Sequence, residues 1–134
     1  MKIPRGIRNN NPLNIRIGNS WKGEVEEPTD HDFEQFTEMR WGVRAAFVVL
    51  RSYVQRHKID TVEKIIRRWA PSNENNTEAY IKRVCEITGY GRKQKLQFVK
   101  LDMIPLFKAM CIVENGQIIE TEDIVKGWNM AGIF

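Results

Sequence analysis

Only two cysteines, Cys85 and Cys111, occur in the 134 residues, and histidine is as scarce, with His31 and His57 alone. The cysteines form no CxxC pair, and each sits inside an apolar-periodic segment. Two buried free thiols are therefore expected, as in a reducing compartment. The histidines and cysteines together make no metal motif. This argues against a zinc amidase, which needs several His or Cys ligands around an open position. No metal and no cofactor is expected. No stretch approaches the roughly 20 apolar residues of a membrane span, so membrane insertion is not expected. The basic start of the chain has no apolar run behind it, which predicts synthesis in the cytoplasm without a signal peptide. Internal repeats and low-complexity linkers are absent too, and the length suits one domain over 1–134.

What is present fits a globular chain. Hydrophobic residues make up 42% and charged residues 28%. A domain of this length buries roughly two-thirds of the surface its unfolded chain exposes, so it needs no disulfide to stay folded. The net charge of +4 favours polyanionic partners in general. The basic residues are scattered: Arg5, Arg8 and Arg16 first, then Arg67 and Arg68, then Arg92, Lys93 and Lys95. No recognition-helix or RNA-binding signature accompanies them, so nucleic acid is not the expected partner. A monomer is expected.

Residues 1–20 are rich in Asn, Gly, Pro and Arg and read as an ordered loop. Residues 21–36 read as a short β-hairpin or ordered loop with its turn at Pro28, Thr29, Asp30 and His31. Ala45, Ala46, Val49, Leu50, Tyr53 and Val54 predict a helix over 40–57. Asp60 and Glu63 have capping-box spacing before a helix that Pro71 ends. Thr77 is placed to cap a third helix, stopped by Gly89, and Asp102 a fourth, stopped near Gly116. A last helix is expected from Thr121 or Glu122 to Met130, burying Ile124, Val125 and Trp128. The fold class is mainly α (α+β): about five helices with a small β-hairpin.

Four segments hold candidate chemistry. In Arg5-Gly6-Ile7-Arg8-Asn9-Asn10-Asn11-Pro12-Leu13-Asn14-Ile15-Arg16, four of six consecutive positions are asparagine. Asn carboxamides suit the hydroxyl and N-acetyl groups of sugars, and they also build turns. Asn10, Asn11 and Asn14 are the binding candidates. Trp21, before Lys22-Gly23, is either a stacking face for a sugar ring or a core residue. The segment from Trp69 to Thr77 adds Asn75, with helix capping as the alternative. Finally, Met110-Cys111-Ile112-Val113-Glu114-Asn115-Gly116 ends an apolar helix on a carboxylate. The negative end of the helix dipole and apolar neighbours disfavour ionisation there. That is the environment a general acid needs to protonate a leaving glycosidic oxygen.

The order of these blocks resembles one family. RGIRNNNPLNIR, WKG, Phe33 to Phe36, GVRAAFVVLRSY, IIRRWAPSNENNTEAYIKRV and the ENG turn are similar to a phage and prophage family of lysozyme-like, peptidoglycan-degrading proteins. The match runs from Arg5 to Gly116. Two positions depart from the family pattern: Leu13 stands where a Gly is usual, and Val113 where a His often precedes the Glu. A left-handed backbone at 13 would tolerate Leu poorly, so a different local turn is expected.

The resemblance implies a lysozyme-like fold and an enzyme that cuts peptidoglycan glycan strands, as a lytic transglycosylase or a muramidase- or glucosaminidase-type glycosidase. It implies action on the cell wall at lysis, or carriage in the phage particle. The alternative is a virion or wall-binding protein that keeps the fold without catalysis. In related wall enzymes a helix ending in the catalytic Glu precedes a comparable Asn-rich loop. Here the helix ending in Glu-Asn-Gly comes late. The expectation is that Glu114 packs beside the N-terminal loop, facing Asn11, Asn14 and Trp21, with Asn115 next to it. Glu24 is the favoured second carboxylate among Glu24, Asp30, Asp32 and Glu34.

Overall fold

A computed structural model describes residues 2–71 and 76–132. It is mainly helical. In chain order the described residues form α1 (Arg5–Arg8), α2 (Met39–Arg51), α3 (Val62–Trp69), α4 (Thr77–Thr88), α5 (Lys100–Asn115) and α6 (Thr121–Ala131), with a π-helical stretch at Ser52–Arg56 continuing α2. The N-terminal loop thus contains one short helix, α1, which the Asn and Gly content of the segment obscures. The β component consists of the isolated bridges Arg16↔Phe33, Glu24↔Phe36 and Thr61↔Lys95, not of a hairpin built from regular strands.

Helix ends follow local chemistry. α3 starts one residue later than the Asp60 cap predicts: Thr61 is the cap, and its hydroxyl accepts from Lys64 N at 3.2 Å. Asp60 instead offers its backbone carbonyl to Leu96 N at 2.7 Å. α4 is capped by Asn76, whose side chain accepts from Ala79 N. Thr77, the expected cap, lies in the first turn and donates its hydroxyl to Ala70 O. Gly89 ends α4 in the left-handed region at φ 78°, and Gly116 follows α5 at φ 72°, where a Cβ would be strained.

α5 contains Pro105. Proline has no N–H, so the carbonyl of Leu101 loses its partner within the helix. The Tyr90 hydroxyl lies 3.2 Å from Leu101 O and 3.0 Å from Asp102 O and donates to this pair. Burial pushes the Tyr90 hydroxyl above its usual pKa, with the Asp102 charge adding to the shift. It therefore stays a donor.

The chain divides into two compact units. One comprises Leu50–Val113. Its α3 and α4 pack together, and Leu50, Val62, Ile65, Ile66, Ile81, Val84, Met103, Leu106, Phe107 and Met110 are fully buried. Tyr53 meets Trp69 edge to face at 6.0 Å, with Arg68 over the Tyr53 ring. Arg92 pairs with Glu63 and Glu78, and Arg67 with Glu78, so these cations serve the surface of this unit. Cys111 is fully buried as expected, while Cys85 is only half-buried.

The other unit comprises Met1–Val49 and Glu114–Phe134. Leu13, Ile15, Phe36, Val43, Ala45, Ala46, Phe47, Ile124 and Ala131 are its buried apolar residues. α6 packs on α2 at Gly127, where any Cβ would strike the Val43 side chain. Trp128 meets Phe47 edge to face at 5.0 Å. Val125, expected inside, is exposed, and Ile124 carries the apolar face with Gly127 and Ala131.

Candidate active site

Glu114 and Asn115 close α5, and the unit that holds them also holds the Asn-rich loop. After α1 the backbone turns through Asn11 N→Gly6 O at 2.8 Å and Asn14 N→Asn11 O at 3.0 Å. Asn10 and Asn14 take left-handed φ values of 53° and 54°. Asparagine pays less for that conformation than other non-glycine residues. The left-handed positions therefore fall on either side of Leu13, whose own φ is not positive and whose side chain is fully buried. The Leu that departs from the family pattern is an apolar anchor for the loop.

The loop and the end of α5 are joined by two carboxamide bonds. Asn115 Nδ2 donates to Pro12 O at 2.7 Å, and Asn14 Nδ2 donates to Glu114 Oε1 at 2.8 Å. Gly6 makes the approach possible. A Cβ there would meet the side-chain oxygens of Asn115 and Asn14 and the carbonyl of Asn11. Glu114 itself is half-buried. Asn14 orients its carboxyl.

The other asparagines hold the fold. Asn11 is fully buried: Nδ2 donates to Ile15 O and Glu34 O, and Oδ1 accepts from Ile15 N. Its carboxamide thus holds the loop backbone. Asn10 spends Nδ2 on Phe36 O, and its carbonyl lies where Gly42 leaves room for it. Asn115, also buried, staples the end of α5 to the loop through Pro12 O. Asn75 lies outside the described residues. Asn14 is thus the candidate asparagine that the structure sets against Glu114.

Trp21 and Glu24 belong to a second cluster. Glu24 Oε1 accepts from Trp21 N at 3.0 Å. Glu24 is also the charged neighbour of Glu34, a buried carboxyl that accepts from the backbone N–H groups of Gly18 and Asn19. Burial first, and the Glu24 charge second, push Glu34 above the usual carboxylate range. Trp21 is half-buried. Glu24 is therefore tied into the loop that carries Trp21.

A third group locks the residues before Glu34. Arg5 grips Asp30 with two bonds of 2.7 Å, and Asn9, Asp32 N and Phe33 N complete the set around that carboxylate. The Arg5 guanidinium and these N–H donors hold Asp30 well below the usual carboxylate range. Arg5 also lies over the Phe33 ring at 4.5 Å, and Arg16 at 5.0 Å. The sequence pattern places Asp30 in a turn but marks no role for Arg5, Gly6 or Gln35. Gln35 Oε1 accepts from Thr29 N and Asp30 N. These partners lie 20 or more residues apart, or depend on backbone geometry, so no local spacing marks them.

The fold and site define a mainly α-helical protein whose Asn-rich loop holds a half-buried glutamate at the end of a helix. No known protein-family profile matches the chain. It is 42% identical over 126 residues to Protein P5 of Pseudoalteromonas phage PM2, covering 91% of this chain and 78% of that protein, and it belongs to that phage protein family. No helix of the described residues is long and apolar enough to cross a membrane.

Proposed function

We propose that this phage-family protein cleaves the glycan strands of bacterial peptidoglycan, with Glu114 as the general acid. The observation that carries the reading is the 2.8 Å bond from Asn14 Nδ2 to Glu114 Oε1. It joins two blocks 100 residues apart, as expected if the helix ending in Glu114 packs beside the Asn-rich loop. Asn14 orients the Glu114 carboxyl, which as the acid gives its proton to the leaving glycosidic oxygen and after bond cleavage is the base.

A single carboxyl suffices when the substrate's own hydroxyl closes the product ring, as in a lytic transglycosylase. A hydrolase needs a second carboxylate at about 5 Å, or about 6.5–9.5 Å, from the first. Glu24 was the expected partner, and its bonds to the Trp21 loop favour the one-carboxyl route. Digestion of purified sacculi followed by mass analysis of the products tests both points. Anhydro-sugar ends are expected. Reducing ends would replace the transglycosylase route by hydrolysis, and uncut strands would remove the enzymatic reading. Sacculus binding without cleavage would then mark a virion or wall-binding protein that keeps the fold.

A further inference from the structure

We infer that a ridge of exposed cations in the Leu50–Val113 unit docks this protein on the carboxylates of peptidoglycan stem peptides. The choice of the cell wall as partner rests on the proposed glycan-cleaving function; the ridge itself does not.

Charge is divided unevenly between the two units. Leu50–Val113 holds 13 Lys and Arg against 6 Asp and Glu, a formal charge of +7. The unit that carries Glu114 and the Asn-rich loop holds 8 against 11, a charge of −3. The net +4 of the whole chain conceals this split. Part of the cationic excess is spent internally, because Arg67 and Arg92 pair with Glu63 and Glu78. Arg56, Lys58, Lys64 and Lys95 are exposed, and no carboxylate pairs with them among the described residues.

Local contacts string these cations together. Thr61 caps α3 and bridges to Lys95. Its hydroxyl accepts from Lys64 N, and Lys64 lies one turn before Arg68 on the same side of α3. Arg68 lies over the Tyr53 ring at 5.9 Å. Tyr53 O accepts from Ile59 N at 2.8 Å, which folds the turn bearing Arg56 and Lys58 back onto the end of the helix. Two acids border this run: Asp60 is half-buried, and Glu63 is held by Arg92 and Arg67. Lys ammonium groups on flexible stems suit repeated, loosely spaced anions better than one shaped anion. Stem-peptide carboxylates recur in that way along a glycan strand. Tyr53 and Trp69 are half-buried and meet edge to face, so they are engaged with each other rather than presented for the stacking of bases. An anionic polymer repels a unit of charge −3, and a second unit of +7 in the same chain offsets that repulsion.

Co-sedimentation of the full chain with purified sacculi tests the ridge, with cleavage followed separately. Arg56→Gln, Lys64→Gln and Lys95→Gln are combined in one variant. Lys2→Gln, Arg8→Gln and Lys22→Gln, exposed cations of the other unit, form a control with the same net charge. An exposed charge pair is worth about two- to threefold in affinity, so the ridge variant should bind about tenfold more weakly. The control should stay within about twofold of the wild type. Sacculi whose carboxyls have been amidated with carbodiimide and ethanolamine should bind all three proteins equally weakly. Wild-type binding should also fall as salt rises through about 0.1–0.3 M.

Equal weakening by the two variants would overturn the ridge in favour of bulk charge. Unchanged binding to amidated sacculi would overturn the carboxylates as its target. Tighter retention on double-stranded DNA or on phosphatidylglycerol vesicles than on sacculi, lost in the ridge variant, would overturn the wall as partner. Carboxylate-dependent binding without cleavage would uphold the ridge while the catalytic reading fell. Should the triple variant fail to fold, the three single variants are each expected to weaken binding about twofold, and three wild-type affinities would overturn the inference.

Discussion

At the scale of single residues, the site depends on three neighbours in the loop doing different work. Leu13 is fully buried, Asn14 holds a left-handed turn and Glu114, and Pro12 offers its carbonyl to Asn115. Leu13→Ala should therefore cost about 2–5 kcal/mol, the range for a buried leucine that leaves a cavity. Chemical denaturation checks this. Asn14→Gly should behave differently. Glycine accepts the positive φ without strain, so the fold should survive. Losing the bond to Glu114 removes one constraint on the carboxyl's orientation, and glycan cleavage should fall about 10- to 100-fold. Turbidity clearing of sacculi measures it, with a melting curve to show that the fold is kept.

Residue chemistry was partly legible in the sequence. The Asn-rich block and the Glu-Asn-Gly helix end both marked the site. The sequence could not show which asparagines spend their carboxamides on the backbone, because Asn11's partner Glu34 lies 23 residues away. Leu13 looked like a defect in a turn. It is an apolar anchor, because the positive φ values fall on Asn10 and Asn14 instead.

At the scale of elements, helices were legible and their ends less so. Apolar periodicity located α2 to α6, since a buried stripe repeats at three and four residues wherever a helix packs. Caps were displaced by one residue at Thr61 and Asn76, because several adjacent side chains could accept the same N–H. α1 spans only four residues, too short for any periodic signal. The small hairpin was read from β-compatible residues, but its pairing reduces to isolated bridges because side-chain bonds around Asp30 and Gln35 do the holding. α5 tolerates Pro105 through Tyr90. Tyr90→Phe should leave the Leu101 carbonyl without a donor and cost about 1 kcal/mol. Hydrogen exchange should show the first turns of α5 opening more readily in the variant.

At the scale of the whole molecule, acid stability follows from two groups of opposite sign. Asp30 has a lowered pKa in the folded protein. Its contribution is complete above the unfolded Asp value of about 3.9 and drains away as pH falls below it. Glu34 has a raised pKa. Its contribution is complete below the unfolded Glu value of about 4.3 and is lost as pH rises through the folded value. Asp30→Asn should therefore flatten the acid limb of a melting-temperature profile. Glu34→Gln should remove a decline on the side above about pH 4.3 and leave the acid limb in place.

The glycan-cleaving account is tested most directly by comparing wild-type protein and Glu114→Gln on purified sacculi. Gln keeps an oxygen to accept from Asn14, so the variant should fold with an unchanged melting temperature. Losing the transferable proton should lower release of soluble glycan fragments by about 10²- to 10⁴-fold. A folded Glu114→Gln protein that releases fragments at the wild-type rate would contradict the account.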